Sequence, residues 1–332
     1  MVIKKHIRNK PAVTGFSFGL LFLLPFYFIT AGCIPNSIDR DEVTEIFTAR
    51  YSMQELELCE QFEGPFAAGE LENSAIDEAS GLAVSRANPG HVWTHNDSGD
   101  FNRIFLIGPN AEDAGTFRIE PAGNRDWEDM AIGPGPADGI NYLYIADIGD
   151  NRSQYDVKRI YRIPEPSLAD HDLSGGLTSI GGAEMIQFRY PDGMKDAETL
   201  MIDPLTRDIY IVSKREFPVT VYLARYPQNT EIVFDLEIVG TLPFTGATAG
   251  DIAADGRNIV IKTKTRIFLW ERNDGESVSE ALQKRPKRLP YVPEVQGEAF
   301  AWSADGNRYY TLSEAKGITP VLYYYDRIRT KK

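Results

Sequence analysis

Acidic residues return at one pair of positions in five similar stretches of this chain. The stretches are Glu78-Ala-Ser-Gly-Leu-Ala-Val, Asp126-Trp-Glu-Asp-Met-Ala-Ile, Asp196-Ala-Glu-Thr-Leu-Met-Ile, Thr248-Ala-Gly-Asp-Ile-Ala-Ala and Gln296-Gly-Glu-Ala-Phe-Ala-Trp. Counted back from Leu82, Met130, Leu200, Ile252 and Phe300, positions −4 and −2 read Glu78/Ser80, Asp126/Glu128, Asp196/Glu198, Thr248/Gly250 and Gln296/Glu298. Residues two apart on a strand point to the same side, so these carboxylates share a face. Carboxylates crowded together either rise in pKa or take up a cation. A ring of hard oxygens suits Ca2+, which accepts six to eight oxygen ligands in irregular geometry. Glu128, Glu198, Glu298, Asp126 and Asp196 are therefore the candidate metal ligands. The competing expectation is that they cap backbone N–H groups or pair with Arg and Lys. Asp129 and Asp251 stand one residue out of phase and are expected at the rim.

Other residues with usable chemistry lie nearby in the pattern. The segments that should end at the same face are Asn96-Asp97, Asp147-Ile148, Ser213-Lys214, Thr263-Lys264 and Ser313-Glu314, and the next strands open at Arg103, Arg159 and Arg266. Lys214, Lys264, Arg103 and Arg159 could hold a substrate phosphate or carboxylate, or simply neutralise the acids. His91 and His95 are four apart on one strand. His95 precedes Asn96-Asp97, which makes His95, with Asp97, the candidate proton acceptor, the alternative being a solvent-facing or hydrogen-bonded structural histidine. Asp97-Ser-Gly-Asp and Asp147-Ile-Gly-Asp read either as Ca2+ loops or as Asx-type turns with glycine at positive φ. Trp127 and Trp302 could stack a ligand ring or pack between strands. A G-x-S-x-G match at Gly15–Gly19 falls in an apolar leader, where the strand-turn-helix of a hydrolase elbow has no place.

The elements that must position these residues are strands. Each copy runs into a turn (Asn88-Pro-Gly, Asp138-Gly, Asp203-Pro, Asp255-Gly, Asp305-Gly), a second strand such as Tyr142-Leu-Tyr-Ile-Ala, and a third such as Arg266-Ile-Phe-Leu-Trp. β-branched and aromatic residues at period two, punctuated by Gly, Pro and Asn/Asp, are the strand signal. The copies are spaced by 48, 70, 52 and 48 residues. Four-stranded units at such a period mark an all-β fold, a β-propeller. The pattern gives five blades, with a sixth open if the 34–75 segment supplies more. Fourth strands are expected at 115–119, 184–190, 231–242 and near 285–289. The fifth blade is completed by the N-terminal segment 55–62 through Leu56, Leu58 and Cys59. Residues 164–183 are expected to be a surface insertion, and residues 33–52 a polar tether leading into one propeller domain at 53–328.

The chain has 332 residues, with 35 Lys+Arg against 48 Asp+Glu and a formal charge of −13. That field repels a polyphosphate backbone, which argues against a nucleic-acid partner. Two cysteines allow no Cys-based zinc site. Residues 1–32 combine a basic start (MVIKKHIRNK), an apolar stretch from Ala12 to Thr30 and a small-residue ending, the layout of an export signal. An uncleaved anchor is the alternative. Ala31-Gly32-Cys33 resembles a bacterial lipobox, which makes Cys33 the lipidated first residue of the mature chain and the membrane its partner. The residue after it, Ile34, favours the outer membrane in a double-membraned cell. Oligomeric state is not written in these features.

Trp127-Glu-Asp-Met-Ala, Tyr144-Ile-Ala-Asp-Ile-Gly-Asp-Asn-Arg and Ile160-Tyr-Arg-Ile-Pro-Glu-Pro resemble a family of exported bacterial propeller proteins. Ser80-Gly-Leu-Ala-Val-Ser, Thr94-His-Asn-Asp-Ser-Gly-Asp and Asp196-Ala-Glu-Thr-Leu fit the same likeness, which spans residues 74–327. More distantly the chain is similar to calcium-dependent lactonase/phosphotriesterase, phytase-like and SdiA-regulated propellers. The resemblance implies Ca2+ and catalytic acids at the tunnel mouth. It assigns no catalytic residue, because the motifs do not match residue by residue. The resulting expectation is an envelope propeller whose mouth binds Ca2+ and acts on a small ester, lactone or phosphoester. The alternative is a non-catalytic module for a protein, peptide or glycan.

Overall fold

The computed structural model describes residues 45–314 and 316–329. The stretch read as an export signal, Cys33 and the start of the stretch read as a tether lie outside them. The described residues form five sheets, each an antiparallel meander: five blades of a β-propeller. Blade 1 is Ala79–Val84, Val92–Asn96, Arg103–Ile107 and Asp113–Ile119. Blade 2 is Trp127–Pro134, Asn141–Asp147, Lys158–Pro164 and Glu184–Arg189. Blade 3 is Ala197–Ile202, Ile209–Ser213, Val219–Ala224 and Glu237–Leu242. Blade 4 is Ala247–Ile252, Asn258–Thr263, Ile267–Glu271 and Lys287–Arg288. Blade 5 is Gly297–Trp302, Arg308–Ser313, Val321–Arg327 and, from the N-terminal side, Phe62–Glu70.

The first strands are buried throughout their length because they pack on one another around the axis. Outer strands alternate buried and exposed residues, as a sheet with one covered face requires. The cores lie between neighbouring blades. Trp93 and Phe117 pack edge to face, and Tyr309 stacks on Tyr325 with ring centroids 4.6 Å apart. Among the described residues no helix is long and apolar enough to cross a membrane. Cys59 is a buried free thiol.

Three placements differ from the sequence reading. The strand that completes blade 5 is Phe62–Glu70, paired with Val321–Arg327, rather than 55–62. Leu58 instead bridges Arg288 on blade 4. The end of the stretch read as tether is also built in, since Phe47–Thr48 pairs with Gly240 and Thr241 of blade 3. The insertion within 164–183 is more than a loop, because Thr178–Ile180 adds to the outer strand of blade 1. These parallel additions, with Phe234–Asp235 on blade 2, cover the outer edges of blades 1 to 4. Covered edges cannot recruit a foreign strand.

Candidate metal centre and tunnel mouth

Every first strand carries a β-bulge at its N-terminal end. Pairing with the second strand slips between Ala79 and Leu82, Trp127 and Asp129, Ala197 and Thr199, Ala247 and Ala249, and Gly297 and Ala299. The residues left out of the ladder include Ser80, Glu128, Glu198, Thr248 and Glu298. A bulge re-aims a side chain and often borders a site. The fourth copy therefore aligns two residues away from the sequence register. Gly250 occupies the place of Met130, Leu200 and Phe300, and Thr248 that of the glutamates. Alternation alone does not anticipate this.

Glu128, Glu198 and Glu298 come from three blades and are at most 4% exposed. Each offers a carboxylate oxygen within 4.8 Å of the other two, and Asp97, Asp126 and Glu128 form a second such group. The two hydroxyls of the ring tie blades together instead. Ser80 donates to the Glu128 carbonyl at 2.6 Å, and Thr248 to the Glu298 carbonyl at 3.2 Å. Gly149 lies against this centre, where a Cβ would collide with Glu128 Oε1 and Asp126 Oδ2. A larger residue there would have to displace both carboxylates.

The cations present are fewer than the acids. Lys214 pairs with Glu198, Lys264 with Glu298, and Arg215 with Asp196. Glu128 has no ion pair among the described residues. Glu198 Oε2 and Asp97 Oδ1 are buried without a hydrogen-bond partner there. The titration behaviour follows. Burial, with Asp97 and Asp126 adding repulsion, pushes Glu128 well above the ordinary carboxylate range. Burial and the charges of Asp97 and Asp196 raise Asp126 to about 6. Burial raises Asp97 too, aided by Glu298 and Glu78. Burial beside Glu298 and Asp97 takes Glu314 to about 9, so it holds a proton at neutral pH. Burial would also raise Glu298, but Lys214, Lys264 and Glu314 together pull it below the usual value.

The other candidates from the sequence are placed as follows. Asp196 accepts from the Asp150 N–H at 2.8 Å and from Arg215, outside both carboxylate groups. Arg103 clamps Asp100 at 2.7 Å, and Arg159 stands 3.8 Å from the buried Asp147. Lys214 and Lys264 are spent on glutamates. Of the two D-x-G-D loops, Asp97–Asp100 is a turn, with Gly99 at positive φ and Asp100 accepting from Asn96 at 2.9 Å. Asp147–Asp150 is not: Gly149 has no positive φ, and Asp150 accepts from the N–H groups of Gln154 and Tyr155 and pairs with Lys158 at 2.9 Å. Trp127 and Trp302 are packing residues, both wholly buried.

Asp129 and Asp251 leave the rim and serve as seam residues. Asp129 accepts from the N–H groups of Met130, Leu200 and Gly250, and Asp251 from that of Trp302. His95 is wholly buried, with its ring edge-on to Trp127 and its Nδ1 3.0 Å from the Asn96 carbonyl. Burial lowers its pKa to about 4 and keeps it neutral. It is sealed from the mouth. Glu314 is the residue that the candidate set lacked. Its position at the end of a second strand, beside a ring glutamate, was the available signal.

No protein-family model matches the chain, and no curated protein matches it. Among solved structures it is similar to hydrazine synthase of Kuenenia stuttgartiensis at 13% identity, over 71% of this chain and 68% of that one, with a TM-score of 0.36. A likeness this loose carries no argument about activity.

Proposed function

We propose that this chain is an exported, lipid-anchored propeller whose acidic mouth binds a divalent cation, Ca2+ by the chemistry of its donors, and hydrolyses a small ester, lactone or phosphoester there. The observation that carries the reading is the convergence of Glu128, Glu198 and Glu298 with too few cations. Glu198 Oε2 is buried and unpartnered, and Glu128 has no direct ion pair among the described residues, with Lys214 already spent on Glu198. All donors are carboxylate oxygens, the set that Ca2+ takes. Asp126 would complete its ligands. A bound cation supplies Lewis-acid polarisation of a carbonyl or phosphoryl oxygen. Around it, Asp97 would take the proton of the attacking water, and the protonated Glu314 would give one to the departing oxygen. Calorimetric titration of metal-free protein with Ca2+ is the test, against the Glu128→Gln/Glu198→Gln variant. Wild type should bind and the variant should not. Turnover is then read with p-nitrophenyl esters, lactones and phosphodiesters, and none turned over with Ca2+ bound defeats the hydrolytic part.

A second reading, a binding module without catalysis, has its own support. His95, the one histidine beside the mouth, is sealed in packing, while loops on the mouth face expose Phe101 (68%), Phe217 (73%) and Val295 (69%). Apolar side chains around an acidic centre fit a protein or peptide surface. Anchoring through Cys33 is common to both readings and rests on the sequence, and mass spectrometry of detergent-extracted protein tests it.

A further inference from the structure

At the end of the propeller opposite the acidic mouth, arginines gather around one cavity. Turns between first and second strands lie there, and those of blades 1 and 5, with the segment after Asp326, enclose a cavity of about 1080 Å³. Four guanidinium groups reach its lining: Arg86, Arg308, Arg327 and Arg329. In a chain of net charge −13 this concentration is out of character.

Against these four the lining carries three acids, Glu63, Asp305 and Asp326, which leaves an excess of one positive charge. Two of the acids are engaged away from Arg86, Arg327 and Arg329. Asp326 is used up by Arg308, whose Nε and a terminal nitrogen reach its two oxygens at 2.5 and 2.9 Å. Asp305 accepts from Ser303 at 2.6 Å and from Asn307, closing its own turn. Glu63 alone is unengaged in this lining. Arg327 bonds only neutral oxygens, those of Gln61 and Gly306, and lies 4.6 Å over the Phe62 ring. Arg329 is exposed, and Arg86 has a buried Nε with no hydrogen-bond partner among the described residues. The Arg86 loop is held in place, because Glu165 accepts from the N–H groups of Arg86 and Ala87 and from Ser85.

A preorganised guanidinium with unused donors is matched by a tetrahedral or planar oxyanion, and arginine is the residue of choice for phosphate. The cavity is at the upper end of the ~300–1,000 Å³ range of small-molecule sites, so a bare ion would leave most of it empty. We propose that this cavity binds a phosphate group carried on a larger body, with Arg86 and Arg327 as its principal donors and Arg329 at the entrance. The shared chemistry is a phosphate ester, either free in solution or displayed as a lipid headgroup. The proposal does not depend on the acidic mouth.

Calorimetry with glucose 6-phosphate, with glucose as control, tests the free form. Co-sedimentation with phosphatidylglycerol vesicles, with phosphatidylcholine vesicles as control, tests the headgroup. Binding in either arm, absent from its control and weakened about tenfold or more in Arg86→Gln/Arg327→Gln, supports the site and says which source it takes. Arg329→Gln, at an exposed position, provides a variant that folding cannot confound, and it should weaken the same binding by a smaller factor. Failure of both phosphate probes, or binding unchanged in the double variant and in Arg329→Gln, overturns the proposal.

Discussion

Gly250 donates its backbone N–H to Asp129 Oδ2 at 3.2 Å, across 121 residues of sequence and from blade 4 to blade 2. The same oxygen accepts from Leu200 of blade 3 at 2.9 Å. One carboxyl group thus ties three of five blades at the axis. Burial pushes its pKa well above the ordinary range, against the pull of those N–H donors.

Replacing Asp129 should therefore cost stability even where size is kept. Asp129→Ala removes every acceptor, whereas Asp129→Asn keeps one oxygen for Leu200 and Gly250 and turns its NH2 toward the Met130 N–H, so it should lose part of what Asp129→Ala loses. Buried donors left unsatisfied cost about 1–3 kcal/mol each, and the total expected is at least that. Urea unfolding checks it. An Asn variant as stable as wild type would contradict the tie.

Metal removal should be visible in melting. At a hundredfold excess over Kd, a bound ion adds about 2.7 kcal/mol to the folded state. Glu128→Gln should abolish that gain and, in chelator, leave a protein at least as stable as wild type, because a crowded buried carboxyl has been neutralised. Differential scanning calorimetry with EDTA and with Ca2+ reads both effects. Loss of stability in EDTA would show that Glu128 is already compensated.

The pH dependence has a definite sign. Glu314 near 9 and Asp126 near 6 bind protons more tightly folded than unfolded. As pH rises past the unfolded value of about 4 to 4.5, the unfolded chain ionises first and the folded state loses stability. Metal-free protein should melt higher at pH 5 than at pH 7, and Glu314→Gln should flatten part of that slope. Two buried bases oppose this slope: His95, lowered by burial to about 4, does so between about pH 4 and 6.5, where the raised carboxyls outnumber it, and Lys262, lowered by burial to about 7, only above that pH. A melting temperature that rises from pH 5 to 7 by the same amount in wild type and Glu314→Gln would contradict the crowding.

Gly149→Ala should act on the centre without touching the ladder. Its methyl meets Glu128 Oε1 and Asp126 Oδ2, so cation affinity should fall about tenfold while far-UV circular dichroism is unchanged. Calorimetry with Ca2+ measures it.

Strand type, blade number and face were legible because period-two runs such as Tyr142–Ala146 and the Asp-Gly turns report local geometry. The bulges were not. Glu198 leaves the ladder only relative to Ser213 and Val212 on another strand, and that count is a property of the pair. The fourth copy shows the cost: Ile252 looks like Leu200 in sequence, yet Gly250 stands opposite Ile261 as Leu200 stands opposite Ile211. The surroundings of His95 were hidden for a related reason. Its neighbour Asn96 reaches the turn at the mouth, whereas the imidazole packs against Trp127, a contact between two blades that no spacing within one reveals. The closing strand slid past 55–62 because apolar content alone does not separate Leu58, which bridges Arg288, from Phe62.

The five slipped positions free Ser80, Glu128, Glu198, Thr248 and Glu298 from any duty to the hydrogen-bonded pleat. Among the described residues the three glutamates carry no inter-blade tie of the kind that Ser80 and Thr248 make, so they are the positions where exchange leaves the blades in place. A scaffold of this kind offers three places to be re-lettered into a hydroxyl-lined or cationic centre in place of an acidic one.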